Sequence, residues 1–282
     1  LSNSAFSSIL NSQAVPGIVA IGITLLMISG EFDLSVGSIL GVASLVFLYA
    51  TVNGLHIIIA GALGLLSGCL LGYLNGLLLI WTGIPSFIVT LGTMLVYRAI
   101  ALSANAGGRI IRYSEFSREP PTISPPTWLI FFIGIALIGL FVWMLKDTIS
   151  SYRCTKKKSH LAIISLLIVS LISLSYTLMT TLNSGSIPID IFHALNGRLE
   201  FIPGNYRAGI LWWFLLTAIF AVILTKTRFG NATFATGGNA QAARLQGINI
   251  DRIRVTNFVI SGGLAAVAGI IQTARLKSVD PL

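Results

Sequence analysis

Long apolar stretches recur along the chain and are separated by short segments that contain most of the charged residues. A membrane-spanning helix needs roughly 20 predominantly apolar residues, and the pattern predicts about eight such segments in an all-α, polytopic bundle. The predicted segments are 14–29, 35–52, 56–80, 86–102, 128–145, 161–182, 209–225 and 255–272. The first is short and is followed closely by Glu31 and Asp33, a pattern compatible with a broken or re-entrant element.

Composition supports lipid as the solvent for this bundle. The 282 residues are 55% hydrophobic and only 10% charged, whereas soluble domains are about 25% charged. The net charge of +9 lies in the short polar segments, which indicates topology signals and anionic lipid rather than nucleic acid. Cys69 and Cys154 lie in an apolar run and a basic loop, so we expect free thiols and no metal site.

Lysine and arginine counts predict the orientation. Segments 146–160 and 226–254 each contain five of these residues, whereas 183–208 contains two arginines balanced by two acidic residues. The positive-inside rule places the two rich segments in the cytoplasm and 103–127 and 183–208 outside. The N-terminus is then also outside, which leads us to expect a further helix upstream.

An acidic pair interrupts the apolar sequence between the first two segments. Glu31 and Asp33 lie between Gly30 and Gly37, and Ser35 is a candidate cap for the helix that follows. Carboxylates at membrane depth are costly and usually face protein or water. The stretch is either a helix break that gates a transport path or an ordinary surface loop with an acidic start.

A second polar stretch lies in the basic segment 226–254. Asn239 is a good N-cap, residues 240–246 favour helix, and Gly247 is a natural stop. The result is a short helix suited to docking on another protein or, alternatively, a surface helix without a partner. Elsewhere, the apolar segments contain candidate pore-lining side chains that equally suit helix packing: Asn75, Thr90 and Thr93.

Sequence features of an enzyme are missing. The three histidines have no acidic partners at metal-ligand spacing, and no Gly-Lys-Ser/Thr loop is present that could hold a nucleotide phosphate. We therefore expect no cofactor or metal on this chain, and ATP hydrolysis, if required, on a separate one.

Three motifs resemble those of the ribose/xylose-type ABC transporter permeases, within the branched-chain amino acid/ribose permease superfamily. Residues 30–38 resemble their Gly-x-x-Asp-Leu-Ser-Val-Gly-Ser signature, and 85–93 resemble Pro-x-Phe-Ile-Val-Thr-Leu-Gly-Thr. Residues 227–248 look like their cytoplasmic coupling segment. By this resemblance, contact with the ATPase would involve Gly238, Asn239, Ala242, Ala243, Arg244 and Gly247.

The resemblance implies a subunit of an ATP-driven importer of a monosaccharide, pentose-like, in the bacterial cytoplasmic (inner) membrane. It implies cytoplasmic ATPase subunits, an extracytoplasmic sugar-binding protein and a second permease subunit as partners. Glu31 stands where many members have glycine, and 128–182 resembles a two-helix insertion within a single permease domain, 1–282. Members usually extend beyond both ends of this chain. The alternative is an ion-coupled secondary transporter or channel that uses Glu31 and Asp33.

Overall fold

The computed structural model describes residues 2–105, 108–117, 121–123, 189–200 and 203–280. These ranges are mostly helical, as predicted for the all-α class. The helices are α1 Asn3–Ile28, α2 Val36–Val52, α3 Ile57–Thr82, α4 Ser86–Ala104, α5 Ile191–Asn196, α6 Ala208–Lys226, α7 Arg228–Gly238, α8 Ala240–Leu245 and α9 Ile250–Leu276. A 3₁₀ turn covers Tyr113–Glu115, and the short strands are β1 Ile111–Arg112, β2 Thr122–Ile123, β3 Ile189–Asp190 and β4 Ser278–Val279.

Residue contacts divide the chain into two compact units. The first contains Leu1–Pro121 and Asp190–Leu282, and the second contains Thr122–Ile189. The segments predicted at 128–145 and 161–182 fall in the second unit and lie outside the described residues, as does the basic segment 146–160. All the site residues discussed below belong to the first unit.

Five of the described helices are long and apolar enough to cross a membrane: α1, α3, α4, α6 and α9. The apolar helix α2 is shorter, with 17 residues. These six helices correspond to six of the predicted segments, so the prediction of a helical membrane bundle is confirmed. The predicted total of about eight remains untested.

The prediction of a short or broken first segment is wrong, because α1 is one continuous helix of 26 residues. The hydropathy pattern does not predict the first half of α1, because this half is polar. Its polar side chains donate hydrogen bonds to nearby carbonyl groups. Ser7 and Ser12 donate to the carbonyls three residues before them, and Asn11 donates to the carbonyl of Asn205. Pro16 lies inside the helix, a placement that packed membrane helices tolerate.

Helix α9 is the centre of the first unit and packs against α1, α2 and α3. In the most apolar 18-residue stretch of α9, 61% of the residues are buried, whereas in that of α6 only 17% are. Helix α6 is therefore a peripheral helix available to lipid. The backbones of α9 and α3 approach closely at Gly72, where an added Cβ would lie 3.0 Å from the Phe258 carbonyl carbon and nearer still to its oxygen. Only glycine allows the two backbones to meet at this distance.

Contacts between chain segments define the two ends of the bundle. At one end Asn3 donates to the carbonyl of Pro203, and β1 pairs antiparallel with β4. At the other end the last turn of α7 contacts the end of α1. The start of the chain and the 203–207 turn therefore lie opposite the 226–254 segment, as the charge-based topology requires.

Candidate functional site

The acidic stretch begins with a helix end that requires glycine. Gly30 has φ +85°, a left-handed conformation that glycine adopts without strain. Its N–H donates to the carbonyl of Met27 at 3.1 Å, and the N–H of Glu31 donates to that of Leu26 at 2.9 Å. This pair of bonds is a Schellman motif, so α1 ends with satisfied backbone groups. We call residues 29–35, between α1 and α2, the acidic break.

The acidic break is bound to the first turns of α4. The backbone N–H of Phe32 donates to Ser86 Oγ at 3.0 Å, and that of Leu34 donates to Thr90 Oγ1 at 3.2 Å. Thr90, a candidate for lining a pore, is fully buried within this chain and holds the break through its hydroxyl group. Thr93 is also buried, and its hydroxyl donates to the Thr90 carbonyl at 3.3 Å.

A chain of hydrogen bonds runs from α4 through α3 to Asp33. Tyr97 Oη donates to Asn75 Oδ1 at 2.9 Å, and Asn75 Nδ2 donates to Ser35 Oγ at 2.7 Å. Ser35 then donates to Asp33 Oδ1 from its hydroxyl at 2.6 Å and from its backbone N–H at 2.9 Å. Asn75 is fully buried, so this third candidate for a pore-lining role also serves the break.

Ser35 occupies the N-cap position of α2 but makes no capping hydrogen bond, so the prediction of a serine cap is wrong. The reason is its backbone, which at φ −81° and ψ −6° is already helical, whereas a capping residue is usually extended. Its hydroxyl turns instead to Asp33. Gly37 lies in the first turn of α2.

Asp33 is buried in the connection between two spans, outside the helices themselves. Burial raises the pKa of its carboxyl group, while the hydrogen bonds from Ser35 and the proximity of Asn75 oppose that rise. Its Oδ2 has no hydrogen-bond partner among the described residues. Two side chains of α9, Asn257 and Ser261, also have buried polar atoms without a hydrogen-bond partner among the described residues, so the interior of the bundle is incompletely paired at more than one position.

Glu31 has a different partner from Asp33, although the sequence suggested an acidic pair with one role. Glu31 Oε1 lies 2.8 Å from Arg254 Nε, and the two side chains form an ion pair. The N–H of Arg254 Nε is not aligned with the carboxylate oxygen, so the contact is not a hydrogen bond. The Glu31 side chain is 7% exposed and that of Arg254 31%. In the sequence, Arg254 is one of the five basic residues that indicate the topology of segment 226–254. The missed signal is Glu31 itself, because a carboxylate in an apolar region usually has a charged partner.

The predicted docking helix is present. Asn239 Oδ1 accepts from the N–H of Ala242 at 2.9 Å, α8 ends before Gln246, and Gly247 has φ +84°. The preceding helix α7 was not predicted because its sequence contains three glycines. A signal was nevertheless available in Thr227, whose hydroxyl accepts from the N–H of Gly230 at 3.2 Å and caps α7.

Ala243 does not face outward, and the prediction that its face is free for a partner is wrong. It is only 3% exposed, because α8 folds back against α7 and α9 of its own chain. The exposed positions are instead Gln241, Ala242, Arg244 and Leu245. Leu245 is 90% exposed, the most exposed large apolar residue in the described part of the chain.

The α7–α8 segment directly contacts the acidic break. An added Cβ on Gly237 would lie 2.9 Å from the carbonyl carbon of Ile28, 3.2 Å from that of Ser29, and closer still to the Ile28 oxygen. The end of α7 therefore lies against the Schellman end of α1, backbone to backbone. Within the described ranges, no group of three or more metal-ligating side chains forms a metal site.

Comparison with known proteins assigns the family. The family model described as "Branched-chain amino acid transport system / permease component" matches residues 5–282. The chain belongs to this permease family. As a member it is a transport component rather than an enzyme, which agrees with its apolar helices. No solved structure matches the chain.

Relatives of this chain are named as xylose, ribose or autoinducer 2 permeases. It is 30% identical to the xylose transport system permease protein XylH of Escherichia coli K12, over 98% of this chain and 66% of that protein. It is 28% identical to the ribose import permease protein RbsC of Bacillus subtilis, over 97% and 62%. It is 26% identical to the autoinducer 2 import system permease protein LsrC of Photorhabdus luminescens, over 95% and 57%.

Proposed function

We propose that the chain is the membrane-spanning permease subunit of an ATP-driven importer of a monosaccharide, pentose-like, in the bacterial cytoplasmic membrane. The observation that carries this proposal is the similarity to xylose and ribose permeases along nearly the whole chain. The acidic break and the exposed α8 add structural support, since an importer needs a path and a contact with its energy source.

The proposed energy source is a cytoplasmic ATPase subunit that binds α8. Leu245 is nearly fully exposed on a short helix next to basic residues. A single apolar side chain on a polar segment suits an apolar pocket on a partner, where burying leucine contributes about 1.5–3 kcal/mol. Ala243 has the opposite role and anchors α8 to its own chain.

Further proposed partners follow from the same importer class. An extracytoplasmic sugar-binding protein would deliver the substrate to the end of the bundle that contains β1 and β4. A second permease subunit, identical or related, would complete the path. Lipid would cover exposed faces such as that of α6, whose most apolar stretch is only 17% buried.

The proposed mechanism involves no covalent chemistry. ATP binding to the partner would move α8, and the helices around the acidic break would change between outward and inward access. The incompletely paired polar atoms of Asp33, Asn257 and Ser261 suit an interior that is rearranged rather than permanently sealed, because a buried unpaired polar group costs about 1–3 kcal/mol.

Co-purification tests this assignment. The protein should be produced with its genomically neighbouring ATPase, extracted in mild detergent and isolated through a tag on the permease. We expect the ATPase to be retained, and the complex to hydrolyse ATP faster when sugar-loaded binding protein is added. Sugar uptake that depends strictly on a proton or sodium gradient and needs no ATP would establish the ion-coupled alternative instead.

A further inference from the structure

The acidic break contacts four helices of its own chain through specific residues. Two attachments join it to the membrane-length helices α3 and α4, and two join it to the helices that flank α8 in sequence. The first two are α4, through Ser86 and Thr90, and α3, through Asn75; the others are α9, through Arg254, and α7, through Gly237.

We infer that the Glu31–Arg254 ion pair and the contact of Gly237 with Ile28 form a mechanical link that transmits movement of α8 to the acidic break. Glu31, Arg254 and Gly237 are in this sense positioning residues for transport. The inference rests on the proposed function, because it assigns a route for the force that an ATPase would apply.

The Gly237 contact transmits displacement because nothing flexible lies between the two backbones. The end of α7 meets the carbonyl groups of Ile28 and Ser29 without an intervening side chain. Asn239 is the only residue between α7 and α8, so a push on α8 reaches the last turn of α7 directly. Close-packed backbones cannot absorb such a shift by changing rotamers.

The ion pair supplies the second half of the link. The short turn 246–249 joins α8 to α9, and Arg254 lies in the second turn of α9. Since Glu31 is almost fully buried, separation from Arg254 would leave its charge without compensation, which is strongly unfavourable. The break is therefore expected to follow Arg254 when α9 moves.

A nearby contact does not perform this task. Arg244 of α8 lies 3.8 Å from Asp251 of α9, and both side chains are at least half exposed. Exposed pairs at this distance contribute little energy. The link is thus assigned to the buried pair rather than to the ion pair that lies closest to α8.

The test compares sugar transported per ATP hydrolysed by the reconstituted complex of permease, ATPase and sugar-binding protein. The informative variants are Glu31→Gln, Arg254→Gln, the exchange Glu31→Arg with Arg254→Glu, and Gly237→Ala. Arg252→Gln is a matched control, since it removes an exposed arginine two residues from Arg254. Gly92→Ala is the second control, because the added Cβ meets no described atom within 4 Å apart from its chain neighbours and the adjoining backbone of its own helix.

We expect Glu31→Gln, Arg254→Gln and Gly237→Ala to retain the ATPase and to hydrolyse ATP, while the sugar-to-ATP ratio falls at least about fivefold, the lower range of coupling between protein sites. The charge exchange should restore part of the ratio, and both controls should keep it. A purely structural role would change the amount of complex and leave the ratio unaltered.

Two results would overturn the link. The first is a wild-type ratio in all three variants. The second is a set of ion-pair variants that fail to reach the membrane, combined with a Gly237→Ala complex that transports at the wild-type ratio. Failure of the proposed function is recognised separately, because the wild-type complex itself would then show no ATP-driven sugar uptake.

Discussion

Leu245 and Ala243 lie two residues apart on the same short helix, and their opposite burial predicts opposite consequences of substitution. Leu245 is 90% exposed and Ala243 3%. If α8 binds the ATPase, Leu245→Ala removes a side chain that is free in the chain alone and buried in the complex. Ala243→Glu instead places a charge among α7, α8 and α9 of the same chain.

The size of the Leu245 effect follows from its exposure. Nearly the whole side chain is available to be buried on binding, and full burial of leucine is worth about 1.5–3 kcal/mol. Because about 1.4 kcal/mol changes an equilibrium constant tenfold, Leu245→Ala should weaken ATPase binding roughly 10–100-fold. Ala243→Glu should lower the amount of folded permease, because an unpaired buried charge costs several kcal/mol.

Binding of detergent-solubilised permease to purified ATPase measures the first effect, and fluorescence-detected size-exclusion chromatography measures the second. Gln241→Ala is the control, since its exposed polar side chain lies on the same helix and its loss should change binding less than threefold, roughly the effect of a surface substitution within 0.5 kcal/mol. Wild-type affinity in Leu245→Ala would refute the docking surface, and normal folding together with normal transport in Ala243→Glu would refute the assigned burial.

Three further predictions concern the fold and the break. Gly72→Ala should lower the thermal midpoint in detergent by roughly 2–12 °C, from an overpacking cost of about 1–3 kcal/mol. The control Gly61→Ala, on the same helix, should leave the midpoint unchanged, because its added Cβ meets no described atom within 4 Å outside the adjoining backbone. Equal midpoints for the two variants would contradict the close α3–α9 contact. Asp33→Asn keeps an acceptor for both Ser35 donors and should fold nearly normally. Asp33→Ala leaves these donors without an acceptor, which costs about 1–3 kcal/mol and should lower the folded yield. Equal yields for the two variants would argue against the network. Single cysteines at Asn205 and Gln246, in a chain lacking Cys69 and Cys154, should react with membrane-impermeant reagent from opposite sides, and labelling from one side only would disprove the topology.

The sequence predicts those features that depend on local preference. Apolar runs place α2, α3, α4, α6 and α9, since each helix must be apolar along its own length to lie in lipid. Asn239 and Gly247 define the ends of α8 because capping involves residues within one helical turn. The acidic break is visible for the same reason, as two carboxylates in otherwise apolar sequence.

Features that depend on distant partners are not visible in the sequence. The burial of Ala243 is decided by α7 and α9, and the pairing of Glu31 with Arg254 joins residues from opposite ends of the chain. The polar start of α1 is not predicted, because hydropathy measures only whether a residue prefers water or an apolar solvent. It does not include the hydrogen-bond acceptors that the folded chain provides. Tyr97 could have been suspected, since it follows Thr90 and Thr93 at helical spacing on one face of α4.

Uptake of labelled pentose into proteoliposomes tests the central claim most directly. The vesicles should contain the permease with its ATPase, ATP inside, and sugar-binding protein outside. We predict accumulation of sugar that requires internal ATP, that is abolished by omitting the ATPase, and that persists when ionophores collapse proton and sodium gradients. Accumulation that proceeds without ATP and disappears with the ionophores would contradict the account.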